Sequence, residues 1–287
     1  MGLELATIFY QKNATIYIAG RSKEKADKAI AGIKQQFTSS KGKIDFLQVD
    51  FANLASIKPA ADEFMSKETR LDTLTNNAGV MAPPVGSKDA HGHEQQIGTN
   101  SLGAMFFSEC LVPVLKKTAA SSPADSVRVT FAGSLAVYYS PKGGVAFTVD
   151  GSPKCFDFKE RDYAQSKAAC VLLASEFGKR HGKDGLVSVS WNPGNLRTEL
   201  QRHMPSLGAR LMSGLLFHPK FGAYTELYAA CSTDITASQN GAFVVPWGRI
   251  YDLRKDITAA LKTEAEGGTG QAKKFWDWCE KESALYK

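Results

Sequence analysis

The chain has 287 residues, 43% of them hydrophobic and 22% charged, with a formal net charge of +6. That length supports one large α/β domain or two small ones, and the balance is that of a globular chain. No apolar run reaches the roughly 18 residues of a spanning helix, and the scattered cations form no basic cluster or aromatic platform for nucleic acid. The milder implication of the charge is a preference for anionic small molecules, such as a phosphorylated cofactor. Met1 to Ala6 has an early acid, no basic flank and no long apolar core, so it does not read as a signal peptide. Ala6 stands where an N-myristoylation pattern wants Ser or Thr. Cys110, Cys155, Cys170, Cys231 and Cys279 are odd in number and form no close pair. They read as free thiols in a reducing compartment, and the cytoplasm is the expected location.

Residues 3–12 have helical spacing, and residues 14–19 read as a buried strand. A helix is expected over 22–38, with Ser22 as its cap. Strand 44–49 and helix 53–68 follow, then strand 71–75, which runs into Asn76-Asn77-Ala78-Gly79. Helix 93–117, strand 126–131, helix 160–181 and strand 186–190 complete the alternation. Strands and helices in this rhythm predict a parallel sheet covered on both faces, in a single domain over 1–287. Loops are expected at 80–92, 135–158 and 195–220, the last carrying the apolar stretch Leu207 to Phe217. All three follow strands, where ligands of such sheets bind.

The residues at those strand ends carry the chemistry. Tyr163 and Lys167 lie four apart on one helix face. A lysine ammonium beside a phenol favours its ionised form, which suits proton exchange with a substrate oxygen. Asn76-Asn77-Ala78-Gly79 ends one strand, Asn100 lies in the next helix, and Ser134 follows the strand after it. Pro193-Gly194 and Thr198 come later. In this order and spacing the chain resembles the short-chain dehydrogenase/reductase family over nearly its whole length. The fold that this implies is a Rossmann-type, doubly wound α/β sheet.

The resemblance implies roles residue by residue. Tyr163 would be the general acid/base. Lys167 would assist it and hold the nicotinamide ribose. Ser134 would polarise the substrate carbonyl, and Asn100 would anchor a water linking Lys167 to solvent. Gly2, Asn77 and Gly79 would lie along the cofactor, Asp50 would bond the adenine, and Leu196 and Thr198 would cradle the nicotinamide and pyrophosphate. Arg21 and Ser22 stand where NAD-preferring members carry an acid, which points to NADP(H). His91-Gly-His93 supplies two ligand types without a third at useful spacing, so no metal is expected.

The long excursion after Ser134 and the segment Asn240 to Arg249 resemble the retinol-dehydrogenase-like branch, especially its fungal members. That implies oxidation or reduction of a hydrophobic ketone, aldehyde or alcohol, often in secondary-metabolite pathways. The apolar stretch near 207–217 would cover such a substrate or touch a membrane surface. Pairing into a homodimer through the Asn100 and Tyr163 helices is a further implication. The chain departs from the family pattern at its start: Gly2 matches the last glycine of the glycine-rich turn, and the first strand and earlier glycines are missing. Two strand edges then lose their partner, and the pyrophosphate loses backbone amides. The expectation is an incomplete gene model or a truncated product. Its rivals in function are a catalytically impaired binding protein and a non-redox member of the fold.

Overall fold

The structure, a computed structural model, describes residues 1–197 and 216–287. Thr198 and most of the predicted apolar stretch lie outside the described residues. The chain opens with α1 (Gly2–Gln11), β1 (Thr15–Gly20), α2 (Lys23–Gln36), β2 (Lys43–Gln48), α3 (Ile57–Lys67) and β3 (Thr73–Asn76). Ser22 caps α2 as predicted, its Oγ accepting the Lys25 amide at 3.3 Å. Two helices, α4 (Gly103–Cys110) and α5 (Val112–Ala119), lead to β4 (Val127–Ala132). Then come α6 (Lys159–His181), β5 (Leu186–Trp191), α7 (Pro219–Cys231), β6 (Phe243–Val245), β7 (Arg249–Ile250), α8 (Lys255–Leu261) and α9 (Gln271–Ser283).

Helix 93–117 is not continuous. One α-helical turn at Gln95–Ile97 leads into a π-helical turn, Gly98–Leu102, before α4. The chain breaks again at Leu111, where Pro113 in the first turn of α5 contributes no amide donor.

The strands form a parallel sheet in two pieces. β1 pairs with β2, Ile16 opposite Ile44. The second piece runs β3-β4-β5-β6-β7, parallel except for the final hairpin. Among the described residues no strand joins β1 to β3. This is a Rossmann sheet without its central first strand. Every residue of β4 and β5 is buried, as strands covered on both faces require. Alternate side chains serve different cores. Val127, Val129 and Phe131 face the larger one, with α3, α4, α6 and α9. Val187 and Val189 face a smaller one, closed by Ala229 of α7.

Helix α6 is the longest, and Ala164 to Gly178 are all buried. One face lies on β4 and β5, and α9 covers another. Phe177 meets Trp276 with ring centroids 6.3 Å apart, and the Arg180 guanidinium sits 4.8 Å from the Trp276 ring. Helix α9 thus packs on α6, one of the two helices expected to pair into a homodimer. Sedimentation velocity is therefore expected to return a monomer. A stable dimer whose crosslinks map to α6 would contradict this packing.

Candidate active site

Helix α6 places Lys167 one turn beyond Tyr163, with Nζ 5.7 Å from the Tyr163 ring centroid. The Lys167 ammonium is buried and donates to the carbonyl of Ala132, the last residue of β4, at 2.8 Å. A buried cation needs such a partner, and this bond fixes its position. The Tyr163 ring is partly exposed, and among the described residues nothing hydrogen-bonds its hydroxyl.

Asn100 sits in the π-helical turn, a local widening that often marks functional positions. Its Oδ1 accepts the Val80 amide at 2.7 Å, and its Nδ2 donates to the Val80 carbonyl at 3.0 Å. The same Nδ2 donates to Ser166 Oγ at 2.9 Å, and Ser166 Oγ donates to the Tyr163 carbonyl at 2.8 Å. Asn100 thus ties the loop after β3 to the turn of α6 that carries Tyr163. Gly79 makes the approach feasible. A Cβ there would stand 3.0 Å from Asn100 Oδ1 and 3.4 Å from Lys167 Nζ.

Ser134 caps a 3-10 turn, Leu135–Tyr139, that packs along α6. Its Oγ accepts the Ala136 amide at 3.1 Å, which leaves the O–H free to donate. The Leu135 amide donates to Asn192 Oδ1 at 3.1 Å, while Asn192 Nδ2 is buried with no partner.

A cleft leads away from this centre. Asn77 Oδ1 is buried without a partner, and a Cβ on Gly2 would come within 2.8 Å of Asn77 Nδ2. Beyond Gly2 lies a cavity of about 330 Å3 lined by Gly20, Arg21, Ser22, Lys25 and Phe46. Arg21 is exposed, and its Nε stands 3.9 Å from Asp50 Oδ1. Asp50 also accepts the Ala52 amide at 3.0 Å. Beside Leu135 a second cavity of about 460 Å3 is walled by Tyr138, Asn192, Leu196, Phe217, Trp247 and Tyr251. Leu196 is buried and bridges to Phe217.

The short chain dehydrogenase family model matches residues 1–147. A short-chain dehydrogenase/reductase of Phomopsis amygdali is 43% identical, across 100% of this chain and 87% of that protein. The short-chain dehydrogenase/reductase bet4 of Neocamarosporium betae is 39% identical, across 98% of this chain and 83% of that protein. The chain belongs to the short-chain dehydrogenase/reductase family.

Solved structures agree on the fold of this short-chain dehydrogenase. The Pseudomonas aeruginosa RhlG/NADP active-site complex matches with a TM-score of 0.63 at 19% identity, over 86% of this chain and 90% of that one. A short-chain dehydrogenase from Sphingobium yanoikuyae in complex with NADPH matches with a TM-score of 0.59 at 16% identity, over 85% and 82%.

Asn77 stands against Gly2, which lines the smaller cavity with Arg21, Ser22 and Lys25, while the unpartnered Asn192 lines the larger one. Buried polar atoms without partners and a cationic cavity suit a nicotinamide dinucleotide. Lys25 was missed by sequence reasoning. Its position three residues past Ser22, in the first turn of a helix at a strand end, was the available signal. The aromatic walls from Tyr138, Trp247 and Tyr251 carry no local signature and were also missed.

His91 and His93 serve the scaffold. His91 Nε2 accepts the Leu54 amide at 2.8 Å, and its Nδ1 meets the Tyr286 hydroxyl at 2.8 Å. His93 lies between Asp89 and Glu282, at 2.8 and 3.1 Å. Burial pulls the His93 pKa down, but hydrogen bonds with these two carboxylates outweigh it and leave it raised. Burial likewise pushes Asp89 up, and His93 with the amides of His91 and His93 outweighs this and leaves it lowered. The loop that enters the Asn100 turn is thereby tied to α9.

Proposed function

We propose that this short-chain dehydrogenase/reductase uses NADP(H) to interconvert a hydrophobic ketone or aldehyde and its alcohol. The observation that carries this reading is the buried Lys167 ammonium, held by the Ala132 carbonyl beside Tyr163, with Asn100 and Gly79 against it. When bound, the cofactor supplies or takes up the hydride. Tyr163 presents an unengaged hydroxyl and exchanges a proton with the substrate oxygen. The free O–H of Ser134 donates to that oxygen and polarises it. Lys167 stands beside Tyr163, in position to hold ribose hydroxyls. Asn100 keeps the loop at Val80 and the turn at Ser166 in register beneath them. Gly2, Asn77, Gly79 and Leu196 would line the cofactor, and Asp50 would stand at its adenine end; Thr198, outside the described residues, is assigned to the same role by its place in the sequence. The walls of the larger cavity are mostly apolar and aromatic, which supports a hydrophobic substrate.

Arg21, Ser22 and Lys25 support the choice of NADP(H). They bring two cations and a hydroxyl to one cavity, and arginine suits a phosphate through paired charge-assisted bonds. NADPH is expected to bind at least about tenfold tighter than NADH, the worth of one charged hydrogen bond. Arg21→Ala should remove most of that gap in equilibrium titrations. Equal affinity of the unaltered protein for both cofactors would overturn the assignment.

A further inference from the structure

The larger cavity carries one charge among its described lining residues, and it is a cation. Arg249, in β7, lines the same space as Phe217, Phe221, Trp247 and Tyr251, and no aspartate or glutamate accompanies it. Its Nε and Nη2 both donate to a single acceptor, the Pro246 carbonyl, at 3.0 and 2.6 Å. That contact sets the direction of the guanidinium and leaves its Nη1 donors unused. Several other arginines among the described residues pair with carboxylates. Arg254 meets Asp256 at 2.6 Å, Arg70 meets Asp72 at 2.6 Å, and Arg180 reaches Glu176 at 3.0 Å. The buried Arg128 spends its donors on the carbonyls of Ala229, Ser232 and Ile235. Among the described residues, Arg249 is therefore an oriented, exposed guanidinium without a carboxylate, set at an aromatic wall.

We propose that Arg249 binds an anionic group of the substrate, so that the preferred substrate is a cyclic, largely apolar ketone or alcohol bearing a carboxylate. This rests on the reading of the larger cavity as the substrate site. The ring system fills the space between the aromatic side chains, where burial of apolar surface drives binding. The carboxylate takes the remaining guanidinium donors, as planar two-point recognition by arginine favours. Arg249 is exposed at the edge of the cavity, so solvent screens part of that contact. The opposite end of the substrate is then left to face Ser134, the neighbour of Leu135 in the cavity wall.

The test uses fluorenone carboxylate and its methyl ester as probes, with quenching of tryptophan fluorescence read in the absence of cofactor. Trp247 in the cavity wall reports occupancy. The acid is expected to bind at least about tenfold tighter than the ester, in line with the worth of a charge-assisted hydrogen bond. Arg249→Gln should bring the acid-to-ester ratio close to one, and Arg249→Lys should keep part of it. Thermal unfolding of both variants at the temperature of the parent protein excludes collapse of the hairpin. An unchanged ratio in Arg249→Gln, or an ester that binds the parent protein as tightly as the acid, would overturn the proposal. Selective binding of the acid with no turnover in the presence of NADPH would count against the proposed reaction and leave this one standing.

Discussion

Tyr163→Phe is expected to lower turnover at least about a hundredfold, the usual worth of a positioned general acid/base. The substitution removes a hydroxyl that no described residue hydrogen-bonds and keeps the ring beside Lys167. It leaves the Ala132–Lys167 bond and the Asn100–Ser166–Tyr163 carbonyl chain intact, because these use backbone and other side chains. NADPH binding is therefore expected to persist. Steady-state kinetics with a turned-over ketone, paired with an equilibrium NADPH titration, checks both halves. Near-normal turnover in the variant would remove Tyr163 from the chemistry, and lost NADPH binding would point to a role in structure instead.

Glu226→Gln is expected to abolish a large pH dependence of stability. Glu226 lies on α7, fully buried, and neither carboxylate oxygen has a hydrogen-bond partner. Burial pushes its pKa up from the ordinary 4.5 to about 8. The folded chain thus keeps a proton that the unfolded chain releases. Stability from this group is greatest below about pH 4.5, falls as pH rises towards about 8, and is flat above that. A rise of this size is worth about 5 kcal/mol in all. Glutamine cannot ionise, so the variant loses the slope while other groups titrate in both proteins. Thermal unfolding from about pH 5 to about pH 8 should show the variant gaining on the parent as pH rises. Parallel profiles for the two proteins would mean that the carboxyl is ionised and paired in the fold.

Much of the candidate site was legible because its parts are local. Tyr163 and Lys167 share a helix face by spacing alone, and Asn77, Gly79 and Ser134 follow strands whose apolar runs are plain. Their convergence needed only the alternation of strand and helix. The break in helix 93–117 was harder to read. Pro113 gave a local signal for the second interruption, but the π-helical turn at Asn100 is stabilised by partners elsewhere, at Val80 and Ser166. Helix α9 was not anticipated, and its docking is set by Trp276 against Phe177 and Arg180, residues far apart in the chain. The hairpin that brings Trp247 and Arg249 to the cavity is equally non-local: β6 is placed by its pairing with β5.

Periodicity and spacing set out the alternation of strands and helices, the shared helix face of Tyr163 and Lys167, and the place of Arg21 and Ser22 at a strand end. They do so because each depends on a spacing of a few residues along one element. Packing alone settles which surfaces remain open. It covers one face of α6 with α9. It buries the Glu226 carboxyl without a hydrogen-bond partner, and it turns Arg249 toward an aromatic cavity with no acid among its described lining residues. Each of these outcomes follows from contacts between distant segments, and such contacts exist only once the apolar faces have been buried against one another.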